Sequence, residues 1–373
     1  MKVSNFSVSI TTDAGALDIT DQVRNINITE SLFGDLQGSI EVVDGVGLLE
    51  TAISSQNKVI IKYDYVSQNT LLQFYINGVT SVDVSSSVLK KMYVINLRSI
   101  NDMVNSMRLI AKSFKGKSTE IIKLIHEEMF GEGTINVITD SATQGRYIAP
   151  NISPKKAIDQ LKRQAYDRDN NPFFIFQRLV DNARSTLNSL KQIEGQTPLF
   201  EIGPVIIDNK RMNISSNSQI GYAEKIIVHS DHENMDFKIA NGIYGKSVTN
   251  IDISNSELSK TQYGVYTNAV SVSHPVRMDM YTDDVRPLLN SDDYYNVCSM
   301  NTILSTTFNT RVTAYHCTAI PNLGVGGTIV LNLPKRRIGQ GTDAKFTGHY
   351  IISKIIHRID DGTYTQIIEM ARS

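Results

Sequence analysis

Over the first hundred positions, apolar residues recur at every second place, the period of a half-buried strand. Phe6, Val8 and Ile10 alternate with polar residues, and Ile26 and Ile28 share one face of the next run, Asn25 to Thr29. A polar, glycine-bearing connection, Glu30 to Gly38, is expected to lead into a strand over Ser39 to Val43, then a short helix or turn over Gly45 to Ala52. Lys58 to Tyr63 (KVIIKY), Leu71 to Val82 (LLQFYINGVTSV) and Lys91 to Arg98 (KMYVINLR) read as a short strand, a longer one and its partner across a serine-rich turn. That is enough strands for a small barrel with no free edge.

The texture changes near Ala111. Lys112 to Lys117 reads as a basic linker, and Ser118 as the N-cap of a helix running to about Phe130. Ile121, Leu124, Ile125 and Glu128 lie on neighbouring helical positions, with Gly131 as C-cap. Ser153-Pro154 opens a second helix, with proline at its first position. Its expected buried stripe is Ala157, Ile158, Leu161 and Ala165. The polar turn Asp167 to Asn171 separates it from a buried strand, Pro172 to Gln177 (PFFIFQ), and a weaker amphipathic piece covers Leu187 to Ile193.

Strand-like runs return at Glu224 to His229 and at Phe237 to Tyr244, the latter anchored by Ile239 and Ile243. Residues 250–286 are polar, with one expected strand at Ala269 to Val272. Ser291 caps an expected helix through Phe308, whose face carries Tyr294, Val297, Cys298, Asn301, Leu304 and Phe308. Arg311 to Ala319 begins the last set of strands.

The most regular stretch is Leu323 to Arg372. Ile329, Leu331 and Leu333 share a face of the run Thr328 to Leu333, which Pro334 stops. A polar loop, Lys335 to Gly348, precedes the run Tyr350 to Ile359; Asp360-Asp361-Gly362 is a hairpin turn, and Tyr364 to Met370 returns antiparallel. Ile351, Ile352, Ile355 and Ile356 place apolar groups on both faces of the central strand. One face can fill a barrel core; the other must be covered by more protein, a further subunit being one source. Short strand, polar loop, longer strand and hairpin partner follow in the same order as in the N-terminal part. This repeat of pattern, with little residue identity, fits two related β-barrels, or two unrelated β-segments with the same hairpin grammar.

The expected fold is α+β, mainly β: two antiparallel β-barrels with an α/β domain inserted between them. The first barrel would span 1–111. The insert would span 112–218 and continue in 246–290. The second, discontinuous barrel would take 219–245 and 291–373. A length of 373 residues agrees with two or three domains at roughly 100–200 residues each.

Composition narrows the function little. The chain is 41% apolar and 20% charged, with a formal net charge of −1, so bulk charge does not favour nucleic acid or an anionic membrane. Cys298 and Cys317 are its two cysteines, which fits a reducing compartment or indifference to redox state. The N-terminus lacks a signal peptide's apolar core and no run reaches the length of a transmembrane helix, so the expected site of synthesis is a cytoplasm.

Candidate chemistry is sparse. His229 and His232, with Asp231 and Glu233, invite a metal, but structural zinc needs four ligands and no second pair lies nearby. His316 and Cys317 are adjacent in a strand, so their side chains point to opposite faces. Asp283-Asp284 and Asp292-Asp293 lack calcium-loop spacing. Gly324-Val325-Gly326-Gly327 leads into a strand and offers phosphate no helix N-terminus. Lys335-Arg336-Arg337 is a tight basic cluster in a loop, read as solvated, with nucleic acid or an acidic partner as the functional alternative. There is no G-x-S-x-G, H-E-x-x-H or Walker motif. The reading is a non-enzyme with no catalytic, cofactor-binding or metal-binding residue and no cofactor. The alternative is a carbohydrate-binding or polysaccharide-active β-protein, using Tyr263, Tyr266, Tyr281, Tyr294 and Tyr295 as a surface.

Three stretches together resemble the central hub protein of contractile-tail phage baseplates. They are ITESLFGDLQGSIEVVDGVGLLE (Ile28 to Glu50), the helix, turn and aromatic strand of Ile152 to Gln177, and Leu323 to Arg372 with Gly348, Tyr350, Ile351, Ile352 and His357. The direct likeness covers under half of the chain, while the order of elements matches over nearly all of it. The resemblance implies tube-type barrels and a homotrimer whose six barrels form a ring. That ring would join a six-fold tail tube to a three-fold central spike and surround the channel through which the genome passes, without specific DNA binding. Implied partners are the spike, tail-tube, baseplate wedge and tape-measure proteins. The implied location is the virion, after assembly in the host cytoplasm. No catalytic residue carries over, and residues 183–218 and 250–290 match nothing in the family pattern. The base of type VI secretion spikes shares this fold but usually continues into further domains; ending at Ser373 leads us to expect a separate spike protein.

Overall fold

The computed structural model describes residues 2–13, 15–44, 54, 57–66, 68–82, 91–169, 171–181, 183–198, 200–204, 219–230, 246–252, 257–263, 310–318, 320–335 and 341–372. The described chain is mostly strand with a few short helices. The turn expected over 45–52, the strands expected over 237–244 and 269–272, and the helix expected over 291–308 lie outside the described residues.

The N-terminal strands are β1 (Ser4–Thr12), β2 (Gly15–Asp18), β3 (Val23–Ser31), β4 (Gly34–Asp44), β5 (Lys58–Tyr65), β6 (Gln68–Val82) and β7 (Lys91–Arg98). They pair antiparallel in the order β2-β1-β5-β6-β7-β4-β3. Alternate residues, among them Val8, Ile10, Ile26, Ile28, Ile40, Ile61, Phe74 and Ile95, face one core. The connection expected over Glu30 to Gly38 is instead strand on both sides of a tight turn, because Leu36 and Ile40 keep β4 in phase with the core.

A compact α/β region follows. It holds α1 (Ile100–Met107), β8 (Ile110–Lys117), α2 (Ser118–Phe130), β9 (Ile135–Val137), β10 (Gln144–Ile152), α3 (Pro154–Gln164), β11 (Phe173–Gln177), β12 (Ser185–Ser189) and α4 (Leu190–Glu194). Its own core gathers Phe114, Ile121, Ile122, Ile125, Ala157, Leu161 and Leu187. The basic stretch Lys112 to Lys117 is not a linker. It is β8, hydrogen-bonded along its length to β10, with Phe114 turned inward and lysine stems along the outside. Leu124 is exposed, and Ile122 takes the core position beside Ile121 and Ile125. The piece expected over Leu187 to Ile193 divides into β12 and α4.

The remaining strands are β13 (Phe200–Pro204), β14 (Gln219–Ala223), β15 (Lys225–Ser230), β16 (Lys246–Asp252), β17 (Glu257–Tyr263), β18 (Thr310–Thr318), β19 (Thr328–Leu331), β20 (Gly348–Asp360) and β21 (Thr363–Arg372). β13 runs parallel to both β14 and β19. β19 pairs with β20, β20 with β21, β21 with β18 and β18 with β15, all antiparallel. β14 and β15 are one segment interrupted at Glu224, whose N–H donates to Tyr315 O at 3.2 Å. Ile202, Val312, Ala314, Ile329, Ile352, Ile355 and Ile368 fill the core between these strands. β16 and β17 form a separate two-stranded ribbon.

β20 holds the molecule together. One edge pairs with β21 from Ile351 to Asp360, with a register shift between Ile352 and Lys354. The other edge pairs with β19 over Gly348 to Ile351, then with β3 over Lys354 to Asp360. The change of partner falls at Ser353, whose carbonyl accepts Leu32 N–H at 2.9 Å. Ile355 therefore packs in the C-terminal core and Ile359 in the N-terminal one. The turn after β20 has Asp361 at φ 46° and Gly362 at φ 74°, the two positive values of a twist-matched two-residue hairpin. Gly362 O accepts Val3 N–H at 2.9 Å, and Lys2 forms an isolated bridge with Thr363, so the hairpin tip reaches β1. Beyond that contact the described ladders do not close into rings.

Candidate functional site: the joint between the two halves

Glu30 occupies the inward face of β3, in phase with Ile26 and Ile28, and is completely buried. A carboxylate there needs strong donors. Leu179 N–H donates to Oε1 at 2.7 Å and Val325 N–H to Oε2 at 3.0 Å. One side chain on an N-terminal strand thus satisfies a backbone amide from the α/β region and one from the loop before β19. His357, two residues along β20 from Ile355, the cross-strand partner of Glu30, brings Nε2 to 3.3 Å from Oε1. Its Nδ1 lies 2.6 Å from the Tyr364 hydroxyl.

Tyr364 packs edge-on against Tyr65 and Tyr63, with ring centroids 4.7 and 5.9 Å away. Burial pushes the Tyr63 hydroxyl up to about 12 and that of Tyr364 well above its ordinary value. Both phenols stay protonated and act as hydrogen-bonding groups. Two amides do similar work nearby. Gln366 accepts Ile320 N–H at 2.9 Å and donates to Ile320 O at 3.4 Å. Gln177 accepts Leu36 N–H at 3.1 Å and donates to Ala183 O at 2.9 Å. A cavity of about 120 Å³ adjoins the cluster, lined in part by Thr70, Leu179, Asn322, His357 and Tyr364. Its neighbouring polar groups pin loop backbone, which is chemistry of rigidity.

The glycine run serves the same joint. Gly326 sits at φ +69°, and a Cβ there would lie 2.4 Å from the Phe176 ring. The N–H groups of Val325, Gly326 and Gly327 go to Glu30, Ile352 O and Gly324 O, so they are not free for a phosphate. Cys317 is buried in the C-terminal core, and burial pushes its thiol up to about 12, which makes it a packing group rather than a nucleophile. His229 Nε2 lies 3.3 Å from Thr313 Oγ1 on the neighbouring strand. Asp231, His232, Glu233, both aspartate pairs, Arg336, Arg337, Tyr266, Tyr281, Tyr294 and Tyr295 lie outside the described residues; Lys335 is exposed, and Tyr263 ends β17. Among the described residues, no group of three or more His, Cys, Asp or Glu could hold a metal ion, and no helix is long and apolar enough to cross a membrane.

Glu30, Gln177 and Gln366 were not singled out as site residues from sequence. The available signal was a charge at the third inward position of a strand after Ile26 and Ile28. Its partners lie up to 295 residues away along the chain.

No family model matches the chain, and no curated protein matches it. Solved structures do. The 43 kDa tail protein of prophage MuSo2 from Shewanella oneidensis aligns with a TM-score of 0.61 at 10% identity, covering 99% of this chain and 98% of that one. The tail protein from Neisseria meningitidis MC58 aligns with a TM-score of 0.59 at 8% identity, covering 99% and 97%. The E. coli c3393 protein, described as a type VI secretion component structurally similar to bacteriophage T4 tail proteins gp27 and gp5, gives 0.51 at 10% identity over 94% of this chain and 74% of its own. The chain therefore has the hub-like fold of phage tail proteins, which a component of the type VI secretion system resembles as well.

Proposed function

We propose that this chain is a structural hub protein of a phage tail baseplate. The observation that carries the reading is the end-to-end match to two tail proteins, 99% of this chain against 97% and 98% of theirs. The joint supports it, since buried polar groups there are spent on holding loops to strands.

In this reading the strands up to residue 98, completed by the tip of β20 and β21, make one tube-type barrel. The strands β13 to β15 and β18 to β21 make the second, with the α/β region inserted between them. The kinked β14–β15 segment, which pairs β13 with its first half and β18 with its second, supports the second barrel. Three copies would supply six barrels in a ring around a channel wide enough for the genome. The outward row Thr29, Ile356 and Ile367, only half-buried in the single chain, would be covered in that ring. The ring's partners would be a central spike, tail-tube, wedge and tape-measure proteins, in a virion assembled in the host cytoplasm. No catalytic step belongs to this role.

Light scattering on the purified chain, with and without a candidate spike protein, tests it. A mass three times 41.5 kDa in either condition is expected. A monomer in both overturns the trimeric hub and brings forward the carbohydrate-binding reading. A second reading, the base of a secretion-system spike, is favoured by the likeness to c3393. Co-purification with a separate spike chain from a phage tail, against one from a secretion system, separates the two.

A further inference from the structure

His126 lies on α2 where that helix meets α1 and β12, and it is only 2% exposed. Its partners determine which ring nitrogen carries the proton. The Thr134 hydroxyl donates to Gly131 O at 2.6 Å, so Thr134 Oγ1 must accept from His126 Nδ1, 3.1 Å away. Nδ1 is then the protonated nitrogen and Nε2 the acceptor. Ser185 Oγ lies 2.9 Å from Nε2 and takes a hydrogen bond from Asn101 Nδ2 at 3.1 Å, so its own proton goes to the ring. The Asn101 amide also faces Nε2 at 3.4 Å. A neutral imidazole thus ties α1, the turn after α2, and β12 to one point.

A second proton on the ring would undo this arrangement. Nε2–H would oppose the Asn101 NH₂ donor and force the Ser185 hydroxyl to turn away. The charges around the ring do not offer a ready partner. Asp35, the second residue of β4, is held by Lys155 Nζ at 2.8 Å; that ammonium also lies 3.9 Å from Asp102 of α1. α3 contributes Asp159 and Lys162 to the same cleft. Glu127 follows His126 on its own helix and Glu132 is exposed on the turn. Ser185 of β12 and Thr134 are neutral. Burial outweighs the pull of Asp35 and Glu127 and holds the imidazole down at about 4.

We propose that His126 is an acid-sensitive latch: its neutral ring holds α1 and β12 against α2, and a proton on Nε2 loosens that contact while the flanking sheets remain paired. The sign follows from the depressed value. The opened form takes up the proton more readily, so the closed form is favoured above an unperturbed histidine's ~6.5 and loses ground as pH falls toward 4.

Amide hydrogen exchange on the full chain, corrected for intrinsic rates at pH 7 and pH 4.5, reads the latch directly. Segments 100–107, 118–134 and 185–189 should speed up by about tenfold per pH unit within the window, relative to β5 to β7. His126→Gln, which keeps a donor and an acceptor but cannot titrate, should abolish that difference. Equal acceleration in β5 to β7, or an unchanged acid response in the variant, overturns the proposal. If the variant fails to fold at pH 7, NMR titration of His126 in the native chain decides. A midpoint well below 6.5 supports the latch, and one at or above it sinks the idea.

Discussion

Glu30 Oε1 stands 3.3 Å from His357 Nε2, a carboxylate and an imidazole buried side by side where β3 meets β20. The carboxylate also accepts two backbone N–H groups from two other parts of the chain. Glu30→Gln keeps the shape but turns an NH₂ donor toward one of those N–H donors. The expected loss is on the order of 2–3 kcal/mol in unfolding stability, read from urea midpoints. A change below about 0.5 kcal/mol, the range of an ordinary surface substitution, would remove Glu30 from this role.

Neighbouring isoleucines on β20 should behave differently. Ile355 is fully buried, whereas Ile356 is half-buried on the outward face beside Ile367. Ile355→Lys places an unpaired ammonium in the core and should unfold the chain or destabilise it by about 3 kcal/mol or more. Ile356→Lys should leave the folded monomer close to native stability and, if the proposed ring forms, weaken it. Circular dichroism with light scattering on both variants is the check. Equal damage to both monomers would contradict the assignment of faces.

Two glycines make a matched pair. Gly326→Ala adds a Cβ against the Phe176 ring at positive φ, whereas a Cβ at Gly78 meets nothing within 4 Å. Thermal unfolding should show a clear loss for the first, on the order of 2 kcal/mol or more, and less than about 0.5 kcal/mol for the second. Comparable melting of the two variants would argue against tight packing of the glycine loop on β11.

High pH should expose the tyrosine cluster. The Tyr63 hydroxyl is raised to about 12 and burial holds that of Tyr364 well above its ordinary value, so the folded chain holds their protons more tightly than the unfolded chain. Their contribution is intact below about 10 and is lost as pH rises through the folded values. Phenolate absorbance should therefore rise in two stages, exposed tyrosines first and these two with unfolding. Tyr63→Phe should flatten the stability loss between about pH 10 and 12. A single smooth titration finished before unfolding would contradict the burial.

Much of the fold was legible because its signals are local. The alternation in β5, β6 and β7, the run Pro172 to Gln177, the Ser153-Pro154 helix start and the Asp361-Gly362 turn each depend on a few adjacent residues. Strands hidden by charge were not. Lysines dominate β8, and one inward phenylalanine, Phe114, is a weak signature. The eight-residue helix α1 buries only Met103, so its periodicity is faint. The joint was hardest to read. Its donors and acceptors meet through tertiary pairing, and nothing near Glu30 in the chain names Leu179 or Val325. The value of His357 was visible only through likeness to a family pattern, not from its neighbours.

The shared strand also sets the order in which the protein can be finished. β3 emerges from the ribosome early, yet the strand that covers its outer edge is almost the last to be made. At about 5–20 residues per second, that edge waits on the order of tens of seconds without its native neighbour. Its row of unpaired amides and carbonyls is a template for any other extended chain. Chains on the same message carry matching strands in this interval, so newly made copies are exposed to mispairing until the C-terminus arrives.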